Sequence, residues 1–162
     1  LDPYEVRVAA GVGRMRHEDA NGPSDWGNKT DAAGRLALDI LSVKAEIAVA
    51  RMLNLAWTGM ARRNTDVGNF LEVRAIQDRS RRLTARRKDE NNTPCVLAFV
   101  EGDTVHALGW ETFGVVRRDG VKMAGGAHGD YYLLDVLRPM EMLFGIVEWR
   151  REYETAEIKD FA

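Results

Sequence analysis

The hydrophobic and polar positions change period along the chain, and the changes mark the elements. Val6, Val8, Ala9, Val12 and Met15 recur near helical spacing and predict a helix over residues 4–17. Gly11 and Gly13 weaken that helix but allow a close neighbour. Residues 21–34 (NGPSDWGNKTDAAG) are dense in turn formers and read as a surface loop. The strongest helical pattern covers residues 36–55, where Leu38, Ile40, Leu41, Ala45, Ala48, Val49, Met52 and Leu53 form a broad apolar face. Such a helix is expected to lie largely buried on a sheet, and residues 57–64 return the chain through a loop. From Asp66 the period becomes two. In residues 70–76 (FLEVRAI), Leu71, Val73 and Ala75 share one face, while Glu72 and Arg74 share the other. Residues 83–87, 94–100 and 104–110 read as further strands. The turn-rich stretch 88–93 (KDENNT) and the dipeptide Gly102-Asp103 separate them. This pattern predicts a meander of about four strands. A short helix over 111–118, a Gly-rich loop over 120–129 and a strand over 131–136 follow. A last helix is predicted over 137–153, with Pro139 in its first turn.

The order of helix, helix, strands, short elements and helix predicts an α/β (α+β) fold, with helices flanking a central mixed sheet of about four to five strands. A chain of 162 residues can bury one such core unaided. No repeat or internal boundary divides it, so residues 1–162 read as a single domain. Its parts are an N-terminal helix (1–20), a surface loop (21–35), a core (36–118) and a C-terminal segment with the final helix (119–162). No apolar run reaches the length of a membrane span, and no signal-peptide pattern opens the chain. Leu1 rather than Met stands first, which leaves room for residues upstream. The single cysteine, Cys95, excludes an intrachain disulfide and a Cys-rich zinc site. It fits a reducing, cytoplasmic setting and, within an apolar run, reads as a core residue.

The net charge of −2 argues against a general polyanion coat, but the charge is unevenly spread. Arg74, Arg79, Arg81, Arg82, Arg86, Arg87 and Lys88 are crowded together with one acid, Asp78, while residues 141–160 are acid-rich. The basic stretch suits contact with phosphates, and its simpler reading is a solvated strand and turn. Trp57, Trp110 and Trp149 stand in apolar settings and read as core. Trp26, in the polar loop, is the aromatic best placed to stack on a base. His17, His106 and His128 show no ligand spacing, and no P-loop, serine elbow or HExxH pattern is present.

Four residues carry the candidate chemistry. Glu46 interrupts the apolar helix, where an unpaired carboxylate is costly. Asp66 stands just before a strand on which Glu72 and Arg74 project from one face. Three carboxylates beside a cation suit a hard divalent ion such as Mg²⁺, which can activate a water and offset charge on a phosphate. The competing reading is structural, with Glu46 paired to Arg74 between helix and sheet and Glu72 on a solvated face.

The order of helical Glu46, then Asp66, then Glu72-Val73-Arg74 resembles the PD-(D/E)XK nuclease superfamily, with Gln77 where some branches add a polar residue. The runs AEIAVARMLNLAW, DVGNFLEVRA and VHALGW, together with LRPM near Leu137, also resemble an uncharacterised group of bacteriophage proteins. The resemblance spans roughly residues 40–110. It implies a restriction-endonuclease-like core and metal-dependent hydrolysis of DNA. On that reading Glu46, Asp66 and Glu72 hold Mg²⁺ or Mn²⁺. Arg74 orients water or phosphate, and Arg79, Arg82, Arg86 and Lys88 bind the DNA backbone. Arg74 replaces the Lys of the pattern, and an arginine is a poor general base. The alternative is therefore a catalytically inactive nuclease-like module of a phage or prophage that binds DNA or protein. A third reading makes the four residues a buried ion-pair network. The expected partners are DNA, with a phage protein or a second copy of the chain, and no membrane. The expected location is the cytoplasm of a bacterial host cell.

Overall fold

The computed structural model describes residues 1–19, 32–57, 59, 65–125 and 129–160. The first helix, α1 (Pro3–Asp19), starts where Asp2 caps it. Asp2 Oδ1 accepts hydrogen bonds from the Tyr4 and Glu5 amides at 2.8 Å, and Glu5 Oε2 reaches back to the Asp2 amide at 2.8 Å. This reciprocal cap, with Pro3 at the first helical position, satisfies donors that the helix itself leaves open. Helix α2 (Ala32–Met52) begins inside the stretch expected to be loop, and it ends as Asn54 takes a left-handed conformation at φ 51°. A Cβ on Gly13 would lie 2.6 Å from Ile40 Cγ1 and 2.8 Å from Ile40 Cα, so its absence lets α1 press against α2. Ala9, Val43 and Ile47 form the small core between these two helices.

The sheets depart from the expected meander. One sheet holds β1 (Glu72–Ile76), β3 (Pro94–Glu101) and β4 (Thr104–Thr112) in the order β1-β3-β4. The other holds β2 (Leu83–Arg86), β5 (Val121–Met123) and β6 (Tyr131–Leu134) in the order β2-β6-β5. Two small sheets thus replace the single central sheet of four to five strands. The reason is a crossover. β1 runs parallel to β3, with Glu72 opposite Cys95 and Arg74 opposite Leu97, and parallel neighbours need a long connection. Residues 77–93 supply it, and they carry β2 away to pair with β6. Alternation along β2 reveals a strand but not its partner.

Helix α3 (Phe113–Asp119) starts late because Glu111 and Thr112 complete β4, and β5 occupies part of the expected Gly-rich loop. Helix α4 (Met140–Asp160) starts after Pro139, because Arg138 is held in a bridge to Trp110. A main core that includes Leu41, Ala45, Val49, Val73, Trp110 and Leu143 joins α2 and α4 to one face of the first sheet. A second core, with Leu83, Ala85, Cys95, Leu97, Phe113 and Val116, joins its other face to the second sheet and α3. The result is a mixed α/β fold with helices flanking two small sheets. Cys95 lies buried in the second core, as its apolar setting suggests, and burial pushes its thiol pKa up. Trp110 is buried and Trp57 half-buried, but Trp149 is 62% exposed on α4 and is not a core residue. No helix among the described residues is long and apolar enough to cross a membrane.

Candidate functional site

Glu46 is only 3% exposed. At about 100° per residue it falls on α2 between the stripe facing the sheet (Leu41, Ala45, Val49) and the stripe facing α1 (Val43, Ile47). Arg16 of α1 reaches it with a bidentate fork, Nη1 to Oε1 at 2.6 Å and Nη2 to Oε2 at 2.7 Å. Trp57 Nε1 donates to Oε2 at 2.9 Å, and Arg16 Nε also reaches the Gly59 carbonyl at 3.3 Å. The partner of Glu46 is therefore Arg16 rather than Arg74. A signal for this was present in α1, where Ala9, Gly13 and Arg16 follow helical spacing along the side that meets α2.

Asp66 closes the tight loop before β1. Its Oδ2 accepts the Val73 amide at 2.9 Å, and its own amide donates to the Leu71 carbonyl at 2.9 Å. Burial, and then the charge of Glu46, raise its pKa to about 6, against the opposing pull of the Val73 amide, Arg16 and Arg74. Glu72 rises to about 7, first through burial and then through Asp66, while Arg74 opposes the shift. Arg74 lies along the face of the Phe113 ring, 5.4 Å from its centre, with Nη2 3.4 Å from Asp89 Oδ2. Among the described residues, its buried Nε has no hydrogen-bond partner. Asp89 belongs to the turn after β2, where its Oδ2 accepts the Arg86 amide at 2.8 Å. Reading by sequence missed Asp89 because a turn aspartate is usually occupied with its own backbone.

Asp66 and Glu72 thus lie within electrostatic reach of both Glu46 and Arg74, yet Glu46 is turned to Arg16, Asp66 to the β1 backbone and Arg74 to Phe113 and Asp89. Among the described residues, no three His, Cys, Asp or Glu side chains form a group that could hold a metal ion. This overturns the expected Mg²⁺ or Mn²⁺ site on Asp66, Glu72 and Glu46, and with it metal-dependent hydrolysis of DNA. The physical reasons lie in the donors. Both Glu46 oxygens face the Arg16 guanidinium, and Asp66 holds the backbone of β1. Burial and the neighbouring Asp66 raise the Glu72 pKa to about 7, which weakens it as an anionic ligand.

The basic stretch divides into two ends. Before β2, the Arg79 guanidinium lies 4.7 Å from the centre of the Phe99 ring, and Arg82 forms an ion pair with Asp135. Arg79, Arg81 and Arg82 border a cleft of about 460 Å³, where Leu108 and Val136 are exposed and Leu97 is buried beneath them. At the end of β2, Arg86 is half-buried near Arg74, and its carbonyl accepts Arg117 Nη1 at 2.6 Å, while Arg87 and Lys88 beyond it are exposed. Leu97 in the cleft lining stands opposite Arg74 of β1, and Arg79 packs on Phe99, opposite Ile76 at the end of that strand. His106 stacks on Phe99 at 5.9 Å, and His17 Nδ1 lies 3.0 Å from Asp39, so each has a local partner. Trp26 and His128 lie outside the described residues. Comparison with protein-family models, with curated proteins and with solved structures gives no match in any of the three.

Proposed function

We propose that the chain is a DNA-binding module that holds the phosphate backbone without cleaving it. The observation that carries this reading is the set of exposed cations at the two ends of β2. Arg79, Arg81 and Arg82 stand before the strand, and Arg87 and Lys88 follow it. β2 is an edge strand, so these side chains flank an open border of the second sheet. Arg82 and Arg87, which flank its four residues, stand about 16 Å apart along the extended chain, enough to meet separate phosphates. The order Glu46, Asp66, Glu72-Val73-Arg74 supports a further proposal about origin: a restriction-endonuclease-like ancestor whose acidic centre now serves as internal structure. The resemblance to phage proteins suggests a phage or prophage as the setting.

Charge reversal tests the binding. Arg81→Glu and Lys88→Glu, made singly, should each weaken affinity for a labelled duplex about tenfold at low salt while leaving the melting temperature unchanged. Unchanged affinity in both variants would remove the basic stretch from the interface.

A further inference from the structure

We propose that the arginine-rimmed cleft takes one unpaired nucleotide of a single DNA strand, with its base against Leu108 and Val136 and its phosphate at Arg79 and Arg81. The inference rests on the nucleic-acid reading above and narrows it. The cleft opens between the β1–β2 connection and the segment joining β6 to α4. Its volume, about 460 Å³, falls within the ~300–1,000 Å³ of sites that enclose small organic groups.

Its apolar side is shaped by a β-bulge. Leu97 faces Gly109 and Ala98 faces Ala107, so Leu108 is the extra residue and is pushed out of the ladder. It stays 40% exposed, and Val136 beside the cleft is 80% exposed. Gly109, at φ 146°, permits the detour, because a Cβ there would lie 2.8 Å from the Arg138 carbonyl. The rim carries three arginines against one lining carboxylate, Asp135, which is already paired with Arg82. The Arg79 guanidinium sits over the Phe99 ring, which orders it before any ligand arrives.

The exposed Leu108 and Val136 side chains beside a cationic rim fit a ligand with one flat apolar face and one anionic group. An unpaired nucleotide has both. A nucleotide within a duplex offers its phosphate and base edges only, because its faces are stacked. An acidic peptide or a bare phosphate would use the rim and leave the apolar side chains uncovered.

The test compares a labelled oligothymidylate with a duplex of the same length, at one salt concentration. Wild-type protein should bind the single strand at least about tenfold more tightly. Leu108→Gln and Val136→Gln, at exposed positions, should reduce that preference without lowering the melting temperature. Lys88→Ala, outside the cleft, should weaken both forms and keep their ratio. Equal affinity for the two forms would overturn the cleft proposal while leaving DNA binding intact, as would a preference that survives both cleft substitutions. No binding of either form at low salt would overturn the cleft proposal and the DNA-binding reading together.

Discussion

Glu46 shows how a residue that looks catalytic in sequence becomes structural in the fold. Its carboxylate is buried, so its charge must be matched, and the Arg16 fork and the Trp57 indole match it. Glu46→Ala would leave the Arg16 cation buried beside an unpaired indole donor. Such a change should cost about 3–5 kcal/mol in urea unfolding, whereas Arg16→Met with Glu46→Leu should cost much less. A loss below about 1 kcal/mol in Glu46→Ala would show that the pair carries little. The raised carboxyls lead to a second expectation. Asp66 and Glu72 hold their protons more tightly folded than unfolded. Their contribution to stability is therefore fully present below about pH 4 and is lost as pH rises through about 6 to 7. The depressed carboxyls of Asp2, Asp78 and Asp119 act in the opposite sense as pH falls below their ordinary range. Glu72→Gln should raise the melting temperature at pH 8 and have little effect at pH 4. An equal effect at both values would mean that Glu72 is not held in its protonated form. At this scale the sequence shows that Glu46 needs a partner. It does not say which cation arrives, because that depends on how α1 crosses α2.

At the scale of elements, periodicity locates most helices and strands, since each buries one face and the spacing of apolar residues records it. β1, β3 and β4 lie close to their predicted positions, and α1 extends its predicted span by only a few residues. Pairing is less visible. The burial of Leu83 and Ala85 in β2 looks the same whether the strand joins β1 or β6. Helix starts are also hard to place where small residues do not reveal a face, which is why Ala32–Gly34 read as loop. The crossing of α1 and α2 supplies a paired prediction. Gly11→Ala meets nothing within 4 Å and should stabilise the fold by about 0.5–1 kcal/mol through helix propensity. Gly13→Ala should instead destabilise it, because its Cβ meets the Ile40 backbone. Thermal unfolding of both variants checks this, and stabilisation by Gly13→Ala would contradict the close crossing.

For the whole molecule, the layers decide what each polar group can do. Stacking α2 and α4, the first sheet, and the second sheet with α3 encloses the acidic residues and leaves cations at both ends of β2 outside. The sequence shows the acidic constellation and the basic stretch side by side, as a nuclease would require. In the fold, Asp66 and Glu72 stand at the start of β1 and Arg79, Arg81 and Arg82 follow its end, with Leu97 of the cleft lining opposite Arg74 between them. The central claim is that this chain binds DNA through exposed cations. The salt dependence of duplex binding by the wild-type protein, followed by anisotropy in Mg²⁺-containing buffer, tests it most directly. Three to five phosphate contacts predict a slope of about −2.7 to −4.5 in log affinity against log salt, with the DNA recovered intact. A flat salt dependence, no binding at the lowest salt, or DNA cleavage that disappears in Asp66→Ala would contradict the account.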